Sequence, residues 1–269
     1  MKFRFILFAL ASMAVVLAPA ASLGLGGGLM ARSQAPKGQT GDNYKEVSQV
    51  ANWPPAALAY IAMPAPVGPR FTKDAVIIDD VPNVHQMPSW PTGCEVVALK
   101  MLAEFYGVNK SVDQWIDIMP RGDIYWSAGR MYGPDPREAF AGNPYSAHSY
   151  GVYHQPMINM LTPYFGDRVI NMTDRRWGDY EDMVLAGNPV MIWGTINNLP
   201  IILRDTWVTP AGDVYEWRGN WHAMVLIGFS KTEVLVNDPY TGTTRRFDRD
   251  TFIERWAAMG QQGIAVRPE

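Results

Sequence analysis

Val84-His85-Gln86-Met87-Pro88-Ser89-Trp90-Pro91-Thr92-Gly93-Cys94-Glu95 decides how this chain is read, because it sets the only cysteine at the start of the first strong helix signal. Thr92-Gly93-Cys94-Glu95 has the form of a capping box, with Thr92 as N-cap and Glu95 three residues on. Apolar residues recur behind it at Val96, Leu99, Leu102, Ala103 and Tyr106, close to the helical period, and Gly107 fits the stop. Cys94 then falls in a first helical turn, where backbone N–H groups lack acceptors and the positive end of the dipole favours thiolate. Three readings stand for such a residue, a small buried apolar side chain, a reactive thiol and an intermolecular bridge. A helix N-terminus favours the second.

A thiol nucleophile needs a base, and the chain offers His85, His148, His154 and His222. His222 is placed best. It directly precedes the apolar run Ala223-Met224-Val225-Leu226-Ile227, so it stands at the mouth of a predicted strand with a fixed backbone. The chain turns at Ser230-Lys231-Thr232 and returns as Val234-Leu235-Val236, which brings Asn237-Asp238-Pro239 back beside His222. Asp238 is thus a carboxylate able to fix the imidazole tautomer, although Asn-Asp-Pro also reads as a plain turn. Gln86, eight residues before Cys94, offers a side-chain amide to an oxyanion beside the cysteine's own N–H. His148 and His154 lack a carboxylate in ligand spacing, so no metal site and no cofactor is expected.

The remaining pattern is α+β. Ala75-Val76-Ile77-Ile78 is a short strand signal, and a second capping box at Ser111-Val112-Asp113-Gln114 opens a helix ended by Pro120. Residues 121–151 read as a long loop, followed by short helices over Met157–Phe165 and Asp179–Ala186, the latter stopped by Gly187. Strands follow at Val190–Trp193, Ala223–Phe229, Val234–Val236 and Thr243–Phe247. Thr206–Val208 and Val214–Trp217 flank Pro210-Ala211-Gly212-Asp213 as a hairpin, and Asp250–Met259 is a last helix. Helices first and antiparallel strands second is the α+β order.

The N-terminus reads separately. Lys2 and Arg4 precede an apolar run from Phe5 to Leu17 and then Ala18-Pro19-Ala20, the layout of a secretory signal. No charge occurs between Phe5 and Met30, so residues 1–30 also fit a retained membrane anchor. Either way the expected location is secreted or cell-surface. Residues 31–74, rich in Pro, Ala, Gly and Gln, read as a linker or pro-segment-like extension, and residues 75–269 as the folded domain. Without residues 1–20 the chain holds 21 basic and 26 acidic residues, a net charge of −5. With no Lys/Arg run, that balance argues against nucleic-acid binding. Export also leaves a lone cysteine with no disulfide partner in its own chain.

Three motifs in order resemble the C39-like family of bacterial papain-like peptidase domains. They are Gln86 with Pro91-Thr92-Gly93-Cys94-Glu95, Trp221-His222-Ala223-Met224-Val225-Leu226-Ile227-Gly228-Phe229, and Val236-Asn237-Asp238-Pro239-Tyr240-Thr241-Gly242. Tyr132-Gly133-Pro134-Asp135-Pro136 and Ser149-Tyr150-Gly151-Val152-Tyr153 are similar to its central segment. The resemblance spans about Val81 to the C-terminus. It implies a papain-like fold, with the nucleophile on an N-terminal helical part and His and Asp on a C-terminal antiparallel sheet. Cys94 would be nucleophile, His222 base, Asp238 orienting carboxylate and Gln86 oxyanion donor. Transporter-fused C39 domains clip leader peptides after paired glycines. No transporter segment stands in this sequence, so that substrate does not carry over. Phe229 replaces the Tyr common after the strand glycine.

These readings lead to a thiol hydrolase acting on peptide or amide bonds, with a peptide or cell-envelope substrate. An acyl transferase or cell-wall amidase would use the same residues. A non-catalytic binding module is the alternative from another class, because ten tryptophans and an aromatic loop also suit ligand contact.

Overall fold

The computed structural model describes residues 68–72 and 74–269. The signal or anchor expected at residues 1–30, and the linker expected at residues 31–74 up to Val67, lie outside them. Among the described residues no helix is long and apolar enough to cross a membrane.

The elements follow in chain order. Two short strands, β1 (Arg70–Phe71) and β2 (Ala75–Ile77), pair antiparallel, so the sheet reaches back into the stretch read as linker. Helices α1 (Cys94–Phe105) and α2 (Val112–Ile118) come next. The stretch read as one long loop is threaded with four short strands, β3 (Arg121–Gly122), β4 (Tyr125–Ser127), β5 (Arg130–Tyr132) and β6 (Phe140–Ala141). Each has only two or three residues, too few for a period-two pattern to register. Then come α3 (His154–Phe165), β7 (Val169–Asn171), α4 (Trp177–Leu185), β8 (Val190–Thr195), β9 (Ile202–Val208) and β10 (Val214–Gly219). The chain ends with β11 (Trp221–Ser230), β12 (Glu233–Asp238), β13 (Thr243–Asp248), α5 (Arg249–Ala258) and β14 (Gly263–Val266).

β11 organises the main sheet. One edge pairs with β8 over Trp221–Leu226 and then with β2 over Gly228–Ser230, while the other edge pairs with β12 over Val225–Phe229. β13 continues beyond β12, and β14 and β7 continue beyond β8, all antiparallel. β8 and the middle of β11 are buried throughout, which explains their unbroken apolar runs. The expected hairpin forms as β9 and β10, closed by Thr209 N–H to Asp213 O at 2.9 Å. It joins β5 and β4 in a second, four-stranded sheet.

Helix α1 packs on β11 and β8 and against α2 and α3. It is buried on nearly every side, from Cys94 to Ala103 apart from Lys100. Fully burying each Val, Leu or Met there contributes roughly 1.5–3 kcal/mol, an upper bound against an extended chain. The second capping box forms as expected, Ser111 and Gln114 bonding each other's backbone N–H. Gly187, at φ +81°, follows the end of α4 as expected. The Tyr180 hydroxyl of α4 donates between Met172 O (2.8 Å) and Gln261 O (2.9 Å), pinning the turn before α4 to the one that leads into β14. The tryptophans are mostly packing: Trp115, Trp193, Trp207, Trp217 and Trp256 are all buried.

Candidate active site

The capping box expected at Thr92 does not form. Gly93 is the N-cap of α1, with no side-chain cap bond, and the Thr92 hydroxyl donates instead to Ser146 O at 2.9 Å. Cys94 is therefore the first helical residue and Glu95 the second. From that position Glu95 is one residue short of the capping geometry, and its side chain turns into the core. It is fully buried.

The sheet supplies the partners. His222 is the second residue of β11 and Asp238 the last of β12, so the antiparallel return brings them together as expected. His222 Nε2 donates to Asp238 Oδ1 at 2.6 Å with both side chains buried. Asp238 Oδ1 also accepts the Tyr240 N–H at 2.9 Å, and Oδ2 faces Arg245 Nη1 at 3.4 Å. Burial alone would raise the Asp238 carboxyl. The hydrogen bond and charge of His222, with Tyr240 N–H and Arg245, outweigh it and hold the group below the ordinary carboxylate value. The Tyr240 ring stands edge-on to the imidazole, centroids 6.3 Å apart.

Cys94 meets this pair through the backbone. The Ala223 N–H lies beyond the last β11–β12 pair, Val225↔Asn237, and points at Cys94 Sγ, 3.5 Å away. The thiol itself donates to Glu95 Oε2 at 3.3 Å, and among the described residues no hydrogen bond joins Sγ to the His222 ring. Burial first, and then the negative charge of Glu95, push the thiol well above its ordinary value. Asp238 adds to this, and the Ala223 N–H opposes it. These surroundings oppose the thiolate that the helix N-terminus is expected to favour. The influence of that terminus belongs to one end of one helix, whereas Cys94 is desolvated on all sides and sits beside a carboxylate.

Gln86 is also drawn in. It is buried, its N–H donates to Pro239 O at 2.8 Å, and its Nε2 donates to Pro91 O (3.0 Å) and Trp90 O (3.3 Å). Its backbone is thus tied to the turn after Asp238 and its side chain to the segment before Cys94. Its Oε1 is buried without a partner. At the first helical position the Cys94 N–H is one of the donors that an α-helix leaves without an internal acceptor.

His154 and His148 stand apart from this group. His154 opens α3 and bonds Gln262 Oε1 at 3.0 Å, and His148 is exposed. Among the described residues no group of three or more His, Cys, Asp or Glu is placed to hold a metal ion.

Sequence reasoning did not find the second half of the site. Glu95 Oε1 accepts Trp221 Nε1 at 2.7 Å and Val152 N–H at 3.1 Å. Trp221 in turn stacks on Tyr153, centroids 4.9 Å apart. A carboxylate inside an apolar helix was a visible signal, but the capping pattern absorbed it.

The comparisons with known proteins bear on the family and the fold. The model of the Peptidase_C39 like family matches residues 78–264. The Bacillus subtilis (strain 168) protein YvpB, described as uncharacterized, is 30% identical over 185 residues, 69% of this chain and 73% of its own. A crystal structure from Bacillus anthracis, described as a C39-like peptidase, superposes with a TM-score of 0.67 at 28% identity, covering 73% of this chain and 98% of that one. The α+β, papain-like architecture and the family match together, and this chain belongs to the peptidase C39-like family.

Proposed function

We propose that this protein is a cysteine hydrolase that cleaves peptide or amide bonds through an acyl-enzyme on Cys94. The observation that carries the reading is the buried 2.6 Å His222–Asp238 pair, set beside a thiol at the first position of α1. With Nε2–H donated to Asp238, the imidazole keeps Nδ1 as its acceptor. In the resting site the thiol hydrogen is donated to Glu95 Oε2, and the proton passes from Sγ to Nδ1 as sulfur attacks the carbonyl carbon. The Cys94 N–H and the Gln86 amide, once it turns from Pro91 O, stabilise the oxyanion. The imidazolium returns its proton to the leaving amine, and water, activated by His222, releases the acyl group.

An acyl transferase or cell-wall amidase would use the same groups with a different acceptor or substrate. The apolar N-terminal segment supports an exported enzyme with a peptide or cell-envelope substrate. The test is labelling with an electrophilic thiol probe at neutral pH, comparing the parent with His222→Ala. Labelling confined to Cys94 in the parent and lowered by about 10²–10⁴-fold in the variant is expected for loss of a general base. Equal labelling of both would remove His222 from the mechanism.

A further inference from the structure

The sequence reading used Glu95 only as a cap, and the hydrolytic cycle above does not need it. Yet it is a wholly buried carboxylate that touches the nucleophile. Its two oxygens divide their partners. Oε2 takes the thiol, and Oε1 takes one donor from the segment before α3 and one from the first residue of β11. The space for it is made by Gly151, where a Cβ would come within 2.1 Å of Oε1. An acidic side chain needed only to fill space would not require three donors and a missing Cβ. Among the described residues, few other ionisable groups surround the pair. Asp238 and His222 lie on the thiol side, Tyr150 bonds Asp205, and Tyr153 bonds Tyr215. β8 carries no ionisable residue, Asp113 and Asp117 of α2 are exposed, and His154 of α3 is bonded to Gln262.

We propose that Glu95 is a positioning residue that holds the Cys94 proton in the resting site and so sets the pH range in which the thiol becomes nucleophilic. The inference rests on Cys94 being the nucleophile. For attack, the Sγ–H bond breaks, an N–H bond forms on His222 Nδ1, and the electron pair stays on sulfur. Glu95 gives up its hydrogen bond and takes no proton. Its charge, 3.3 Å from Sγ, opposes formation of thiolate until His222 accepts the proton. This agrees with burial and Glu95 being the two largest causes that raise the thiol.

The experiment is the rate of Cys94 alkylation by iodoacetamide against pH, in the parent, Glu95→Gln and His222→Ala. Gln keeps an oxygen for Trp221 and Val152 but removes the charge. The Glu95→Gln profile should move to lower pH, with alkylation at neutral pH faster by about tenfold or more, one pH unit of thiol ionisation being a factor of ten. Overlapping profiles for Glu95→Gln and parent would overturn the inference and leave the nucleophile standing. An unchanged His222→Ala profile beside a shifted Glu95→Gln profile would overturn the His222 role and leave the inference standing. Should Glu95→Gln not fold, Cys94→Ala reads the same coupling. With the thiol donor gone, the Glu95 carboxyl followed by carbon NMR should titrate at higher pH than in the parent, and an unmoved titration would overturn the inference.

Discussion

Trp221 Nε1 donates to Glu95 Oε1 at 2.7 Å, so the residue before His222 and the residue after Cys94 are hydrogen-bonded to each other. Glu95 and Trp221 lie 126 positions apart in sequence, on a helix and a strand, and this buried bond fixes where the proposed nucleophile and base stand against each other. Val152 N–H joins the same oxygen, and Trp193 Nε1 donates to Val152 O at 3.1 Å, which ties the segment back to β8.

That bond can be removed singly. Trp221→Phe keeps the ring stacked on Tyr153 but leaves Glu95 one donor short. Urea unfolding should show a loss of about 1.5–3 kcal/mol, the range for a hydrogen bond to a charged group. Gly151→Ala should do more, since its Cβ would meet Glu95 Oε1 at 2.1 Å and the 3.1 Å contacts with Trp217 and Trp221 leave little room to yield. We expect a lower melting temperature and slower hydrolysis in Gly151→Ala, and parent-like values in both would show that the carboxylate moves aside freely.

Asp238→Asn tests the orienting carboxylate and carries a pH signature. Asp238 is held below the ordinary carboxylate value in the folded state. A group lowered on folding stabilises the native state above its unfolded value, near pH 4, and that contribution is lost as pH falls through the lower folded value. The parent should therefore exceed Asp238→Asn in melting temperature at pH 7, and the gap should close on acidification below about pH 4. Breaking one partner of a buried pair costs about 3–5 kcal/mol, so the neutral-pH gap should be plain. A gap that stays constant down to pH 2 would mean that the His222 pairing contributes little to stability.

Gln86→Ala addresses the oxyanion. Loss of one oxyanion donor should lower kcat by about 10²–10³-fold with KM close to the parent value. In the resting site the amide is turned to Pro91 O and Trp90 O, so truncation also frees those carbonyls. A change confined to KM, or a kcat within threefold of the parent, would limit Gln86 to shaping the loop before α1.

Most elements were legible where the signal is local. The capping box at Ser111 and Gln114 formed as written, because both partners lie within one turn of chain. The hairpin at 206–217 formed around its Pro-Ala-Gly-Asp turn for the same reason. β14 was missed although it is wholly buried. Four residues, Gly263–Val266, give no period, and what makes them a strand is the slot between β8 and β7. The capping box at Thr92 failed because a tertiary acceptor, Ser146 O, took the hydroxyl.

The sequence by itself determined the family, the α+β order of elements, and the three motifs that carry Gln86 with Cys94, His222, and Asp238. Each rests on residue types at fixed spacing along the chain. Only the tertiary structure decided the state of the thiol. Its surroundings, Glu95, the Ala223 N–H and Asp238, are assembled by the packing of α1 on β11, and desolvation and neighbouring charge act through space rather than along the sequence.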